Sequence, residues 1–532
     1  MKKILKSLYI VFLLFIITSC HENILEETAY DQLAQSAFPK TLEDLDLVVN
    51  GIYTKMGYYH VRYGAYNYVC LFNSVEGCMK QRGGGNTRGA GDHYNWHEYL
   101  DYRDSFIRHF FWAWEGITQS NEVINALDQI ETDKQKVLNR AEGEAKAFRA
   151  WFYFDLVRFY GAMPLVEKSP SLNNEELYIE RPSDVRVSYD FIIKDLQEAI
   201  ELLPTKTEYA DDSSLGDPGR ISKAVAQMLL AKVYLTMSGY PLNDNSKLSD
   251  AKSLLESIKN SGQYKLIDDY KEVFSMDNEL NDEIIYAIQN NPFTGGQELY
   301  TMSRMLPPDQ TNQYWGSYQG WLPQDGATLE FMLKFKESDG GVRYQHSIAE
   351  QWTNPANGDT VKALDYGNAW ITKFSMPEGY VNGSWFTPVD FTLLRYADVL
   401  LMLAELETEL ANGVSSAAVD YLNQIRTRAG HPNYYNVGDF SSKEDLIDTI
   451  FWERSMELAF EHHGVFDLRR RGYEKLKEIV TSKLWYDPEI STNNAQDFSY
   501  ITSGQIPESH MLYPIPPDYL NQNPKFVQNP GY

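Results

Sequence analysis

Apolar residues recur at mixed three- and four-residue steps through most of this chain, and that spacing predicts helices. Phe111, Trp114, Ile117, Val123, Ile124 and Leu127 place one over about 105–131. A second, strongly amphipathic helix covers 141–160 and stops at Gly161 and Pro164, a residue pair that ends helices. An earlier helix spans 42–56, and the same periodicity predicts others at 184–203, 221–238, 248–261, 393–411, 415–429 and 442–463. Several read as antiparallel pairs with small residues inside, such as Ala226 and Ala231 before Ala251, and Ala404 before Ala417 and Ala418. Small residues let paired helices approach closely, as in tetratricopeptide arrays, although the repeat here is irregular.

Two stretches break the pattern. Residues 58–104 are loop-rich, with Gly83–Gly85 at their centre. Residues 264–390 carry Gly, Pro, Asn, Trp and Tyr with a few strand-like runs, among them EIIYAI at 283–288. Long irregular insertions in a helical scaffold more often bind something than merely connect. The tail from Pro507 is Pro- and Asn-rich and reads as extended. The expected fold is mainly α: a tetratricopeptide-like helix-pair scaffold with long irregular loops and a few short strands.

The N-terminus has another logic. Lys2, Lys3 and Lys6 precede or flank an apolar run from Leu8 to Ile17, followed by Thr18, Ser19 and Cys20. Ten apolar residues are too few for a spanning helix, which needs roughly 18 or more. The pattern is an export signal, and small residues before a cysteine mark its lipoprotein form. Residues 1–19 are then a cleaved signal peptide, and Cys20 carries the lipid. The mature chain, 20–532, is long enough for one large unit with an N-terminal half of about 21–262 and a C-terminal half of about 263–532. The spacing of Cys70 and Cys78 permits either a disulfide or two thiols.

Composition narrows the function. A net charge of −26 with no basic stripe disfavours nucleic acid. Aromatic residues are 14% of the chain, and 37 Tyr outnumber 25 Phe. Tyr and Trp in polar, glycine-rich segments suit sugar rings, whose C–H faces are apolar and whose rims are hydroxyls. Catalytic patterns are missing. Gly83–Gly85 lacks a phosphate-binding context, and no G-x-S-x-G occurs. His462 and His463 lack H-E-x-x-H spacing, while His93, His97 and His109 form no metal set. Asp211, Asp212 and Asp217 offer calcium-type oxygens, but no pattern supports a calcium site, and no cofactor is expected. Glu453 and Glu457 alternate with Arg454, Arg469, Arg470 and Arg471, which reads as helix-joining ion pairs. Glu142, Glu144 and Asp155 read the same way.

Five segments in order then match a known family: RAEGEAKAFRAWFYFDLVRFYGAMPLV (140–166), LLRYADVLLMLAELETE (393–409), AVDYLNQIRTRAG (418–430), IFWERSMELAFEHHGVFDLRRRG (450–472) and LYPIPPDYLNQNPKFVQNPGY (512–532). With the lipoprotein start, the chain resembles the SusD/RagB family of Bacteroidetes surface lipoproteins. The resemblance implies a non-enzymatic, outer-membrane, surface-exposed glycan-binding protein. It also implies a partner, a SusC-like TonB-dependent transporter to which captured oligosaccharides are delivered.

The family draws its ligand-stacking aromatics from two regions, an early loop and a later insertion. In this chain the first region holds Arg82, Arg88, His93, Tyr94, Asn95 and Trp96, and the second holds Tyr314, Trp315, Tyr318 and Trp321. Trp96, with Trp315 or Trp321, leads the expected platform, while Arg82 and Asn95 would bond sugar hydroxyls (a uronate in the case of Arg82) or cap loops. Trp112, Trp114, Trp151 and Trp452 lie on predicted helices and are expected in the core. Two other readings compete: a transporter lid for peptides or another nutrient, and a surface glycoside hydrolase.

Overall fold

The computed structural model describes residues 39–61, 69–71, 74–79, 104–167, 179–290, 325–339, 341–353, 358, 360–362, 368–375, 389–431, 433–481 and 506–532. In chain order the elements are α1 (Leu42–His60), β1 (Gly77–Met79), α2 (Asp104–Ala126), α3 (Gln135–Tyr160), α4 (Val185–Leu202), α5 (Lys206–Asp211), α6 (Lys223–Ser238), α7 (Leu248–Asn260) and β2 (Ile284–Ile288). There follow β3 (Asp325–Thr328), α8 (Leu329–Asp339), α9 (Val342–Ser347), β4 (Ile348–Ala349), β5 (Gln351–Thr353), β6 (Thr360–Lys362), β7 (Asn368–Ile371) and β8 (Phe391–Arg395). The chain closes with α10 (Tyr396–Ala411), α11 (Ser416–Arg428), α12 (Lys443–Glu457), α13 (Gly464–Arg469), α14 (Tyr473–Thr481) and α15 (Pro517–Gln522).

Local chemistry sets the helix ends. The Thr41 hydroxyl accepts from the Asp44 N–H while Asp44 reaches back, a capping box that starts α1. Asp184, Ser415 and Ser442 cap α4, α11 and α12 in the simpler one-way manner. Gly161 ends α3 at φ 79°, and Asn412 ends α10 at φ 47°, a conformation that Asn tolerates.

The helices stack in sequence: α1 on α2, α2 on α3, α3 on α4, α4 on α6, and α6 on α7. The stack then jumps the insertion, because α7 packs on α10, which packs on α11 and α12. Inner helices are buried nearly all round, as α10 is from Tyr396 to Leu406, which is how a helix between two neighbours must read. The small residues do what the sequence suggests. Ala226, Ala231, Ala251, Ala404 and Ala418 are fully buried, each on a helix of a packed pair; Ala417 is half-buried at the margin. One contiguous hydrophobic core includes Trp112 and Trp151, with Trp114 and Trp452 packed against it half-buried.

One glycine is required by the packing. A Cβ at Gly116 in α2 would fall 2.2 Å from the Phe152 ring of α3. Gly116→Ala gains up to about 1 kcal/mol of helix propensity. Overpacking costs about 1–3 kcal/mol, and a 2.2 Å approach to a ring puts this site at the upper end, so the net effect should be destabilising by about 2 kcal/mol in urea unfolding.

Four expectations need correction, the first being the tail from Pro507, which is not extended throughout but carries a helical turn at Glu508–Met511 and α15. Residues 393–395 are strand, not helix, because β8 pairs antiparallel with β2. Residues 458–463 are not helical, since Phe460 and His462 take φ 67° and 69°. The insertion holds two unexpected helices, α8 and α9; in α8 the buried Leu329, Met332 and Phe335 do carry a helical spacing.

Candidate functional site

Arg82, Arg88, His93, Tyr94, Asn95, Trp96, Tyr314, Trp315, Tyr318, Trp321 and Cys20 all lie outside the described residues. The structure shows where the two segments bearing the candidate aromatics are rooted. Segment 80–103 begins directly after β1, and segment 291–324 ends directly before β3. These strands pair antiparallel in the register Gly77↔Ala327, Cys78↔Gly326 and Met79↔Asp325. The last residue before one segment therefore stands opposite the first residue after the other, a Cα separation of about 5 Å for antiparallel partners.

This root is held firmly. Beyond the strand ends, the Thr328 N–H donates to the Glu76 carbonyl at 2.9 Å and its hydroxyl to the Val75 carbonyl at 2.8 Å. A Cβ at Gly77 would sit 2.5 Å from Leu71, so the strand runs against Leu71 only because that position has no side chain. On its other side β3 pairs with β7, and β7 pairs with β4, giving the order β1-β3-β7-β4. The Glu76 carboxyl is buried and accepts from the Phe460 N–H at 2.8 Å. Burial pushes its pKa up to about 8. The start of segment 291–324 is clamped as well: the Asn290 N–H donates to Asp390 at 2.8 Å, and its amide to the Val389 carbonyl at 2.7 Å.

Below the roots lies a cluster of buried charge. The Arg395 guanidinium, at the end of β8, bonds Glu283 at 2.7 Å, Glu457 at 2.5 Å and Glu461 at 2.8 Å. Lys373 reaches Glu461 at 2.5 Å, Arg343 reaches Glu453 at 2.8 Å and Glu457 at 3.0 Å, and Arg428 pairs with Glu283 and Glu457. Burial disfavours the Glu457 anion, yet Arg428, Arg395 and Arg343 overcome that and hold its carboxyl well below the usual range. The arginine-carboxylate pattern is thus an internal clamp between the insertion's base, α11 and α12. Glu142, Glu144 and Asp155 are likewise ion-pair partners, of Lys146, Arg220 and Arg158.

Among the described residues no group of three or more His, Cys, Asp or Glu is placed to hold a metal. Asp212 and Asp217 accept from the N–H groups of Ser214 and Gly219, as turn and cap residues do. Cys70 is buried, and the side chain of Cys78 lies outside the described residues. No described helix is long and apolar enough to cross a membrane.

Comparison with known proteins agrees with this architecture. Residues 263–532, just over half of the chain, match the SusD family. The chain belongs to the SusD family. Residues 25–235 of this SusD-family chain also match a family described as starch-binding and associating with the outer membrane. SusD-like protein P2 of Formosa agariphila is 26% identical, over 99% of this chain and 100% of its own length. A SusD homolog of Bacteroides thetaiotaomicron superposes with a TM-score of 0.74 at 24% identity, over 94% of this chain and 98% of the homolog. Surface glycan-binding protein A of the same organism, solved with laminarihexaose, superposes at 0.69 and 20% identity, over 92% of this chain and all of its own. At such identities these structures establish the shared fold.

Sequence reasoning did not find the pairing of the two roots. β1 and β3 have three and four residues, too few for an alternating pattern to register. The one local sign is Gly77, with no side chain where Leu71 presses on the strand.

Proposed function

We propose that this protein captures oligosaccharides at the outer face of the outer membrane and delivers them to a SusC-like TonB-dependent transporter. In this reading it is tethered through the lipid on Cys20 and catalyses nothing itself. The observation that carries the reading is the register Met79↔Asp325. Sequence places Tyr94, Asn95, Trp96 and Arg82 in one segment and Tyr314, Trp315, Tyr318 and Trp321 in the other. The paired strands root both segments at one place, as a single aromatic platform drawn from two distant parts of the chain requires. The laminarihexaose complex of a protein with this fold supports a glycan as the ligand class. Carboxylates locked in buried pairs support binding rather than hydrolysis.

Glycan-array screening followed by calorimetry tests it. Trp96→Ala and Trp315→Ala should each weaken binding by about 30-fold or more, the loss of roughly 2 kcal/mol expected of a buried aromatic anchor. Full affinity in both variants would overturn the platform. Release of reducing ends from the bound glycan would identify a hydrolase, and transporter co-purification without any glycan binding would identify a lid for another nutrient.

A further inference from the structure

A large cleft is formed among the described residues at the chain's C-terminal tail. Its volume is about 1230 Å³, and it is bordered by the end of α3, the start of α4, the turn after α6, α13 and the chain's last residues. Ordinary small-molecule pockets hold roughly 300–1,000 Å³, so this cleft has room for several linked units. None of the described residues that line it comes from β1 or β3.

Its charge runs against that of the chain. In a protein of net charge −26, the lining holds five arginines against three carboxylates. Two of the arginines are neutralised from behind: Arg158 pairs with Asp155, and Arg470 with Glu405 and Asp467. Arg186, at the rim and half-exposed, is 4.0 Å from Asp184. Arg181 differs. Its Nε donates to the Ala162 carbonyl at 2.5 Å, Nη1 to the Val527 carbonyl at 2.9 Å, and Nη2 to Asn529 at 2.6 Å and to the Tyr160 carbonyl. All four acceptors are neutral. They take four of its five N–H groups and staple the tail to α3, but they leave the positive charge uncompensated. No carboxylate among the described residues comes within ion-pair distance of it. Burial lowers its pKa only to about 10, so it is charged at neutral pH.

The remaining lining supplies the other half of a sugar site. Tyr240 is half-buried and Pro241 and Val527 exposed, giving apolar surface, while the Phe466 ring is covered by the Arg158 guanidinium 3.3 Å from its centroid. Ser183 and Ser509 put hydroxyls at the edge. Apolar faces, hydroxyl partners and a cation in want of an anion fit an acidic pyranose chain better than a neutral one.

We infer that this cleft binds an acidic oligosaccharide, whose carboxylate or sulfate groups face Arg181 and Arg186. The test uses the mature chain carrying Trp96→Ala and Trp315→Ala, so that the platform contributes no signal. Calorimetry is run with a tetragalacturonate, a sulfated tetrasaccharide and a neutral tetrasaccharide. Arg181→Gln also removes structural hydrogen bonds, so the exposed Arg186→Glu and Val527→Glu variants carry the result. Each should weaken acidic-ligand binding by about tenfold, the equivalent of about 1.4 kcal/mol, with the circular dichroism spectrum unchanged. Binding of the uronate alone assigns carboxylate, and binding of the sulfated chain alone assigns sulfate; either result, or both together, supports the site. No binding of either acidic chain, equal binding of the neutral one, or indifference to both charge insertions overturns it.

Discussion

Replacing Arg395 with Met should destabilise the protein by about 3–5 kcal/mol, the cost of leaving buried charge without its partner. Arg395 is fully buried, and its guanidinium serves three carboxylates at once, those of Glu283, Glu457 and Glu461. Met keeps most of the volume, so a loss of this size reports charge and not a cavity. Arg428, Arg343 and Lys373 would remain, but they already serve the same acids from other sides. Arg395 also ends β8 opposite Ile284 of β2, at the base of the long insertion. Glycan affinity should therefore fall together with the thermal midpoint. A control is available in Lys247, whose pair with Asp250 is exposed. Lys247→Met should leave the melt unmoved, since exposed pairs contribute little. Equal melts for the two variants would refute the internal clamp.

Stability should peak near pH 6.5 and fall on both sides. Burial lowers the pKa of His60 and His463 from 6.5 to about 3, and lowers those of His109 and His462 well below 6.5. Neighbouring cations add to the effect, Arg158 at His60 and His109 and Lys232 at His463. Below pH 6.5 the unfolded chain binds protons that the folded chain refuses. Their contribution is complete above 6.5 and is lost as pH falls toward 3, by about 1.4 kcal/mol per pH unit for each histidine. Carboxyls raised by burial act in the opposite sense, Glu76 and Asp390 with the largest shifts and Glu122, Asp195 and Glu279 in the same direction. Burial raises Glu76 from 4.5 to about 8 and Asp390 from 3.8 to about 7. Here the folded state holds the proton, so their contribution is complete at low pH and is lost as pH rises through 7 and 8. The histidines, to which His346 adds a pKa lowered by burial to about 4, outweigh the carboxyls on the acid side, and Glu76 carries the fall above about pH 7. Thermal melts from about pH 4.5 to 8.5 should trace this curve. Glu76→Gln should flatten the alkaline limb and steepen the acid limb, where its opposing slope is removed. A flat profile, or a maximum above pH 8, would contradict the assignment.

Legibility in the sequence followed the length of the elements. The nine predicted helices are present, although their bounds move: α3 begins at Gln135 rather than Ala141, and α12 stops at Glu457. Three- and four-residue steps sustained over four turns leave little room for another conformation. The errors fall where a tertiary contact overrides local pattern. Phe460 and His462 lie within an apolar run that reads as helix, but the chain turns there and its N–H at Phe460 caps the Glu76 carboxyl. Leu393–Arg395 reads as the first turn of α10, yet β2 lies alongside and recruits it as strand.

What the sequence determined by itself was therefore the helical scaffold, the small residues at its crossings, the ionic character of the Glu453–Arg471 stretch and the family. Each of these is written in residues near one another along the chain. Only the tertiary structure decided that α7 meets α10 across the insertion and that the two aromatic segments share one root at Met79 and Asp325. It alone also showed that Arg181 faces a cleft with its charge uncompensated. The physical reason is the same for all three. They depend on the closure of loops well over a hundred residues long, whose ends carry no periodic signal and meet only after the helix stack has brought them together.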